Sequence, residues 1–134
     1  MRRINIDYWE KWGGEEWEAM ANIVRSFNEA QETYKVVMTP VGDWSSSPDL
    51  AHFLSAQKRG ASPDIIGLED QQIVDLATQG ALMPLHKFIE PIQFSRTDYH
   101  DKFLNLGKYE GELYGAPISA DIVTLYVNLA SVLG

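Results

Sequence analysis

Three short apolar runs, each followed by a stretch of helical periodicity, constrain the fold of this chain more than any other feature. From Arg3 to about Trp9 apolar and polar residues alternate, with Ile4, Ile6 and Tyr8 on one face, which reads as a strand. The period then lengthens. Trp17, Met20, Ala21, Val24 and Phe27 form one helical stripe, and Glu15, Glu16 and Glu18 stand in its first turn, where acids complement the helix dipole. This helix is predicted to end near Gln31. A second strand is expected over Tyr34 to Val41, and a second helix over Pro48 to Lys58, with Ser47 as cap, Pro48 at the first helical position and Gly60 as the stop. Asp64 to Leu68 is a third, continuously apolar strand of the kind buried in parallel sheets, and a helix from Gln71 to Thr78 closes at Gly80. The order predicts an α/β fold with a mainly parallel sheet, right-handed crossovers and helices on both faces.

The remainder is more broken. Ala81 to Leu85 reads as an extended linker, Lys87 to Ile89 as a helical turn, and about Arg96 to Leu104 as an amphipathic helix after the Pro91 break. Gly107 to Gly115 has the pattern of a β-hairpin turning near Glu110-Gly111. In Gly111 to Asn128, glycines and Pro117 give turn chemistry, and Ile122 to Val127 then reads as a strand covered on both faces. Asp121 stands just before that strand, as a turn former or a ligand-facing group. The 134 residues suit about one domain and show no internal repeat or low-complexity tract.

Bulk chemistry excludes several functions. Eleven basic against nineteen acidic residues give a net charge of -8, which opposes binding to nucleic acid or to an anionic membrane surface. No stretch approaches the length of a membrane span. Without cysteine there is no disulfide framework, thiolate metal site or cysteine nucleophile. His52, His86 and His100 lack a second ligand at metal-binding spacing, so no metal and no cofactor is expected. Met1 to Asp7 has two arginines but no apolar segment behind them, so no signal peptide is read in this chain.

In open α/β sheets ligands sit outside the carboxyl ends of the strands. The loops predicted there run from Trp9 to Gly14, from Gly42 to Ser47 and from Glu69 to Gln72. Trp9, Trp12 and Trp44 fall in these loops, where an indole can stack on a sugar ring or simply plug the core. Trp17, on the helical stripe, is assigned to the core. Glu10, Asp43, Asp70 and Asp121 can accept hydrogen bonds from ligand hydroxyls, or serve turns and caps. Paired carboxylates also occur in glycosidases, but no catalytic signature surrounds these. Gly13-Gly14 before a helix is a weak phosphate signal without the flanking motif, and Lys11 is a solvated lysine or a partner for a ligand anion.

The ordered set of segments carries a resemblance. Ile4 to Trp9, Phe27-Asn28, Tyr34 to Val37, Val41 to Trp44, Ser62 to Ile66, Gln79 to Leu85, Gly111 to Asp121 and Leu125 to Asn128 together resemble the N-terminal part of extracellular solute-binding proteins of carbohydrate ABC importers, the maltose-binding-protein-like group. The match weakens after Tyr126, where the family usually continues Tyr-Asn-Lys. The resemblance implies a partial first lobe, residues 1–134, of a two-lobe periplasmic-binding-protein fold with the second lobe absent. It implies sugar binding without bond breaking, hinge closure, docking on an ABC permease, and an extracytoplasmic parent protein. Its implied ligand contacts are the Trp9 to Trp12 loop with Trp9, Glu10 and Trp12, then Trp44, Asp70 or its neighbour Gln71, and Asp121, to which the strand-end reading adds Asp43. One lobe supplies half a cleft, so sugar binding by this chain alone is expected to be weak or absent. The competing expectations are a glycan-active enzyme using loop carboxylates, and a fragment that self-associates through an unfinished sheet edge.

Overall fold

The computed structural model describes residues 2–42, 47–89, 99–121 and 124, and these belong to two compact units, Met1–Met83 and Pro84–Gly134. The predicted strand over Ile122 to Val127 lies outside the described residues but for Thr124.

The first unit alternates as the sequence predicts: β1 (Ile4–Glu10), α1 (Gly14–Ala30), β2 (Tyr34–Pro40), α2 (Ser47–Lys58), β3 (Ile65–Ile66) and α3 (Asp70–Thr78). The sheet is parallel with order β2-β1-β3, so β1 is central. Its register with β2 runs from Ile4 opposite Tyr34 to Glu10 opposite Pro40. β3 is assigned shorter than the apolar run that announces it, although the amides at the run's ends also bond β1, Asp64 N to Asp7 O and Gly67 N to Trp9 O, both at 2.9 Å. Asp64 gives its carboxylate to the Asp7 amide at 2.9 Å, and Gly67 lies against the Glu10 side chain.

Side chains alternate between the faces of the sheet. Trp9 points to the face covered by α2 and α3, where Phe53 (3% exposed) and Leu76 (0%) form a core. Trp9, Val41, Leu50, Leu54, Ile66, Leu68, Ala81 and Leu82 pack around that pair. Tyr8 and Glu10 occupy the other face. On α1 only Met20 of the predicted stripe is fully buried, Trp17 is half-buried rather than in the core, and Phe27 is 43% exposed. The stripe fades because the last turn of α1 meets β2 through amides instead. Asn28 donates to the Val36 carbonyl at 2.9 Å and accepts from the Val36 amide at 2.8 Å. Gln31 treats Tyr34 the same way, donating to its carbonyl at 2.9 Å and accepting its amide at 2.7 Å. The bonds from Ile4 N to Thr33 O and from Val41 N to Glu10 O direct the odd-numbered backbone groups of β2 to β1. Residues 34 and 36 therefore point outward, and the two side-chain amides stand in for a neighbouring strand.

α2 and α3 end alike. Gly60 and Gly80 take φ of 68° and 67°. Ala61 N bonds Ala56 O and Ala81 N bonds Leu76 O, both at 2.9 Å, while the two glycine amides bond Gln57 O and Ala77 O, which is the Schellman pattern. α3 begins on Glu69, which forms a capping box with Gln72.

The second unit holds α4 (His86–Ile89), α5 (Asp101–Leu106) and the antiparallel pair β4 (Lys108–Tyr109) and β5 (Glu112–Leu113). The hairpin turns on Glu110-Gly111, whose φ values of 49° and 83° suit a type I′ turn. Leu85 N bonds Leu113 O at 2.7 Å, and the His86 imidazole pairs with the Glu112 carboxylate, so the segment before α4 is fastened to the hairpin. A Cβ at Gly107 would strike the Gly115 carbonyl. α5 starts five residues later than predicted; the earlier part of that expectation, at 96–98, lies outside the described residues.

The left-handed glycines give a controlled test. Gly80→Ala should lower stability by about 1–2 kcal/mol, whereas Gly13→Ala, at φ -118° with nothing within 4 Å of an added Cβ, should change it little, as measured by urea unfolding followed through tryptophan fluorescence.

Candidate functional site

The carboxyl end of β1 is built around one buried acid. Glu10, expected as a loop residue facing ligand, is the last residue of the strand and is 1% exposed. Its side chain folds back onto its own segment. One oxygen accepts the Lys11 amide at 2.8 Å and the Trp12 amide at 3.2 Å, and the other accepts the Tyr8 hydroxyl. Every close donor is the chain's own. Tyr8 and Glu10 meet because residues two apart in a strand share a face.

Gly67 completes the enclosure. A Cβ there would lie 2.7 and 2.9 Å from the two Glu10 oxygens and 3.0 Å from the carboxyl carbon. The glycine amide bonds the Trp9 carbonyl at 2.9 Å, so the backbone after β3 passes directly beside the acid.

Beyond Glu10 the chain turns outward. Lys11 runs its stem along the protein with 13% of the side chain exposed, and its ammonium pairs with Glu69, the cap of α3. The loops after β1 and β3 are thereby joined at the sheet's carboxyl edge. Trp12 is half-buried, while Asp70 and Gln71 are exposed, with the Asp70 carboxylate accepting the Gln71 amide at 2.8 Å. Trp9 is held inward by α2, its ring 5.5 Å from that of His52 and 6.5 Å from that of Phe53, edge-on to the latter. It supports the loop from beneath.

Of the other expected contacts, Asp43 and Trp44 lie outside the described residues. Asp121 is exposed and belongs to the second unit. The sequence reading missed Tyr8, Gly67 and Glu69 as determinants of the loop. Two signals for them existed: the i, i+2 spacing of Tyr8 and Glu10, and a glycine interrupting an apolar strand run, which marks a close backbone approach. Among the described residues, no group of three or more acids and histidines is arranged to hold a metal, and no helix is long and apolar enough to cross a membrane.

Burial first, then the hydrogen bond and charge of Glu10, pushes the Tyr8 hydroxyl above its ordinary titration range. An unfolded tyrosine ionises near pH ~10. Stability from the Tyr8 pairing is therefore complete below about pH 10 and is lost as the pH rises past it. Denaturant melts between about pH 9 and 12 should show a steeper alkaline loss for the parent chain than for Tyr8→Phe. Gly67→Ala, which forces the Glu10 carboxylate aside, should cost about 1–3 kcal/mol in the same melts at neutral pH.

No family model and no curated protein matches the sequence. Solved structures do match. CpMnBP1 with mannotriose bound aligns with a TM-score of 0.75 and 23% identity over 86% of this chain and 28% of its own. An ABC substrate-binding protein from Listeria monocytogenes in complex with cycloalternan aligns at 0.73 and 20%, over 85% of this chain and 28% of its own. The galacto-N-biose/lacto-N-biose I-binding protein of the ABC transporter from Bifidobacterium longum aligns at 0.72 and 22%, over 86% and 28%. The chain thus spans less than a third of the length of the structures it matches, and it shares its fold with part of the sugar-binding proteins of ABC transporters.

Proposed function

We propose that this chain, residues 1–134, is a partial first lobe of a carbohydrate-binding protein that serves an ABC importer. It contributes to holding a sugar or oligosaccharide by stacking and hydrogen bonds, without breaking a bond. The observation that carries this reading is the joined edge at the carboxyl ends of β1 and β3, where the Lys11–Glu69 pair ties the loop that carries Trp12 to the start of α3, with Asp70 and Gln71 exposed. The shared fold supports it, since matching structures hold mannotriose, cycloalternan and lacto-N-biose.

In this reading Trp12 and Trp44 stack on the sugar, and Asp43, Asp70 and Gln71 accept or donate hydrogen bonds to its hydroxyls. Trp9 backs the loop. The parent protein is extracytoplasmic, and its partner is the membrane permease of the importer. A net charge of -8 suits a neutral glycan better than an anionic one.

Because one lobe offers half of a cleft, binding by this chain is expected to be weak, in the millimolar range. Titration of the isotope-labelled chain with mannotriose or lacto-N-biose should shift the backbone resonances of Trp12, Asp70 and Gln71 saturably, with little change in α5. Micromolar affinity of this chain alone for either sugar would overturn the half-cleft reading, and hydrolysis of either sugar during the titration would replace it with an enzymatic one.

A further inference from the structure

We propose that Glu10 is the positioning residue of the β1 loop: its buried carboxylate, anchored by the Tyr8 hydroxyl and walled in by Gly67, fixes the direction in which Lys11 and Trp12 leave the sheet. The inference rests on the sugar-binding reading only for what the loop is used for. The positioning itself follows from geometry.

Four observations converge. Glu10 is 1% exposed, so its oxygens must find donors within the protein. Both have them, and two of the three donors are the consecutive amides of Lys11 and Trp12, at 2.8 and 3.2 Å. Consecutive N–H groups converging on one oxygen hold the backbone in a tight concave turn, which would otherwise leave two donors to water. The third donor, Tyr8, is itself buried on β1 at 5% exposure, so the anchor belongs to the central strand of the sheet. The residue after β3 that passes beside the carboxyl group is a glycine, Gly67, which leaves room for the acid where a side chain would displace it.

The consequence reaches two side chains. Lys11 meets Glu69 only if its Cα is turned toward α3, and the Trp12 amide is held in the same turn by Glu10. Glu69 is exposed, so that ion pair is too weak to impose the turn by itself. The buried acid imposes it, and the ion pair reads it out.

Variants of Glu10 separate reach from charge. Glu10→Asp keeps the charge but is one methylene shorter, so it cannot hold Tyr8 and both amides together. Glu10→Gln keeps the length, an oxygen for the two amides and an NH2 that donates to the Tyr8 oxygen. Tyr8→Phe removes the anchor while keeping the ring. Amide hydrogen exchange of the 134-residue chain should show Lys11 and Trp12 exchanging about tenfold faster or more in Glu10→Asp and Tyr8→Phe, and within about threefold of the parent in Glu10→Gln, with Ile6 and Val36 unchanged in all three. Mannotriose affinity, read from the Trp12 shifts, should fall about tenfold in Glu10→Asp and recover in Glu10→Gln.

Parent-like exchange at Lys11 and Trp12 in Glu10→Asp would overturn the proposal. So would a uniform acceleration that includes Ile6 and Val36, which would make Glu10 a contributor to global stability alone. Loop amides that loosen while mannotriose affinity holds would overturn the positioning of a ligand loop. Hydrolysis of the sugar by the parent chain would overturn the sugar-binding reading, and the exchange pattern would still decide the role of Glu10.

Discussion

A carboxylate taken out of water costs several kcal/mol unless protein donors replace the ones it leaves behind. The end of β1 is organised by that requirement. Position 8 needs a hydroxyl on the same face as Glu10, the backbone after position 10 must turn so that two successive amides face inward, and position 67 can carry no side chain. The Glu10 carbonyl is also occupied, accepting the Val41 amide from beyond β2 at 3.0 Å. The backbone just beyond β2 and just after β3 therefore meets β1 at one residue, at the carboxyl edge where an α/β sheet presents its loops.

Surface charge plays a smaller part. The Lys11–Glu69 pair joins two loops, yet more than half of the Glu69 side chain is exposed, and pairs of that kind contribute at most about 1 kcal/mol. Its value lies in orientation. Glu69 also caps α3, so a single acid links the start of that helix to the loop after β1. Trp9 contributes in the opposite direction, filling space against α2 and keeping the base of the loop dry.

What could be read from the sequence was what local chemistry decides. The β-α-β-α-β-α order, the stops at Gly60 and Gly80 and the turn at Glu110-Gly111 each depend on a few adjacent residues, and each stands in the structure. Glu10 was legible as an acid near a strand end but not as a buried one, because burial depends on Gly67, fifty-seven positions away along the chain. The assigned β3 covers only Ile65 and Ile66, although the amides of Asp64 and Gly67 on either side of it also reach β1. Phe27 keeps the helical period yet stays exposed, since the polar reach of Asn28 and Gln31 sets how the end of α1 meets the sheet. Indoles in loops could be counted but not aimed. Trp9 packs inward, Trp12 stands at the edge, and Asp43 and Trp44 fall outside the described residues.

The amides of Asn28 and Gln31 have an effect beyond the packing of α1. A sheet ordinarily presents two open borders, and a stray strand can be captured at either. Here the outward rungs of β2 at Val36 and Tyr34 are already filled by side chains, and the rung at Pro40 has no N–H to offer. That leaves Met38 as an isolated rung between closed ones, too short a foothold for an intruding chain. The sheet is thereby polarised: its β2 side is sealed by residues of the helix that precedes that strand, and the seal is made within a dozen consecutive residues, as soon as β2 has followed α1 into place.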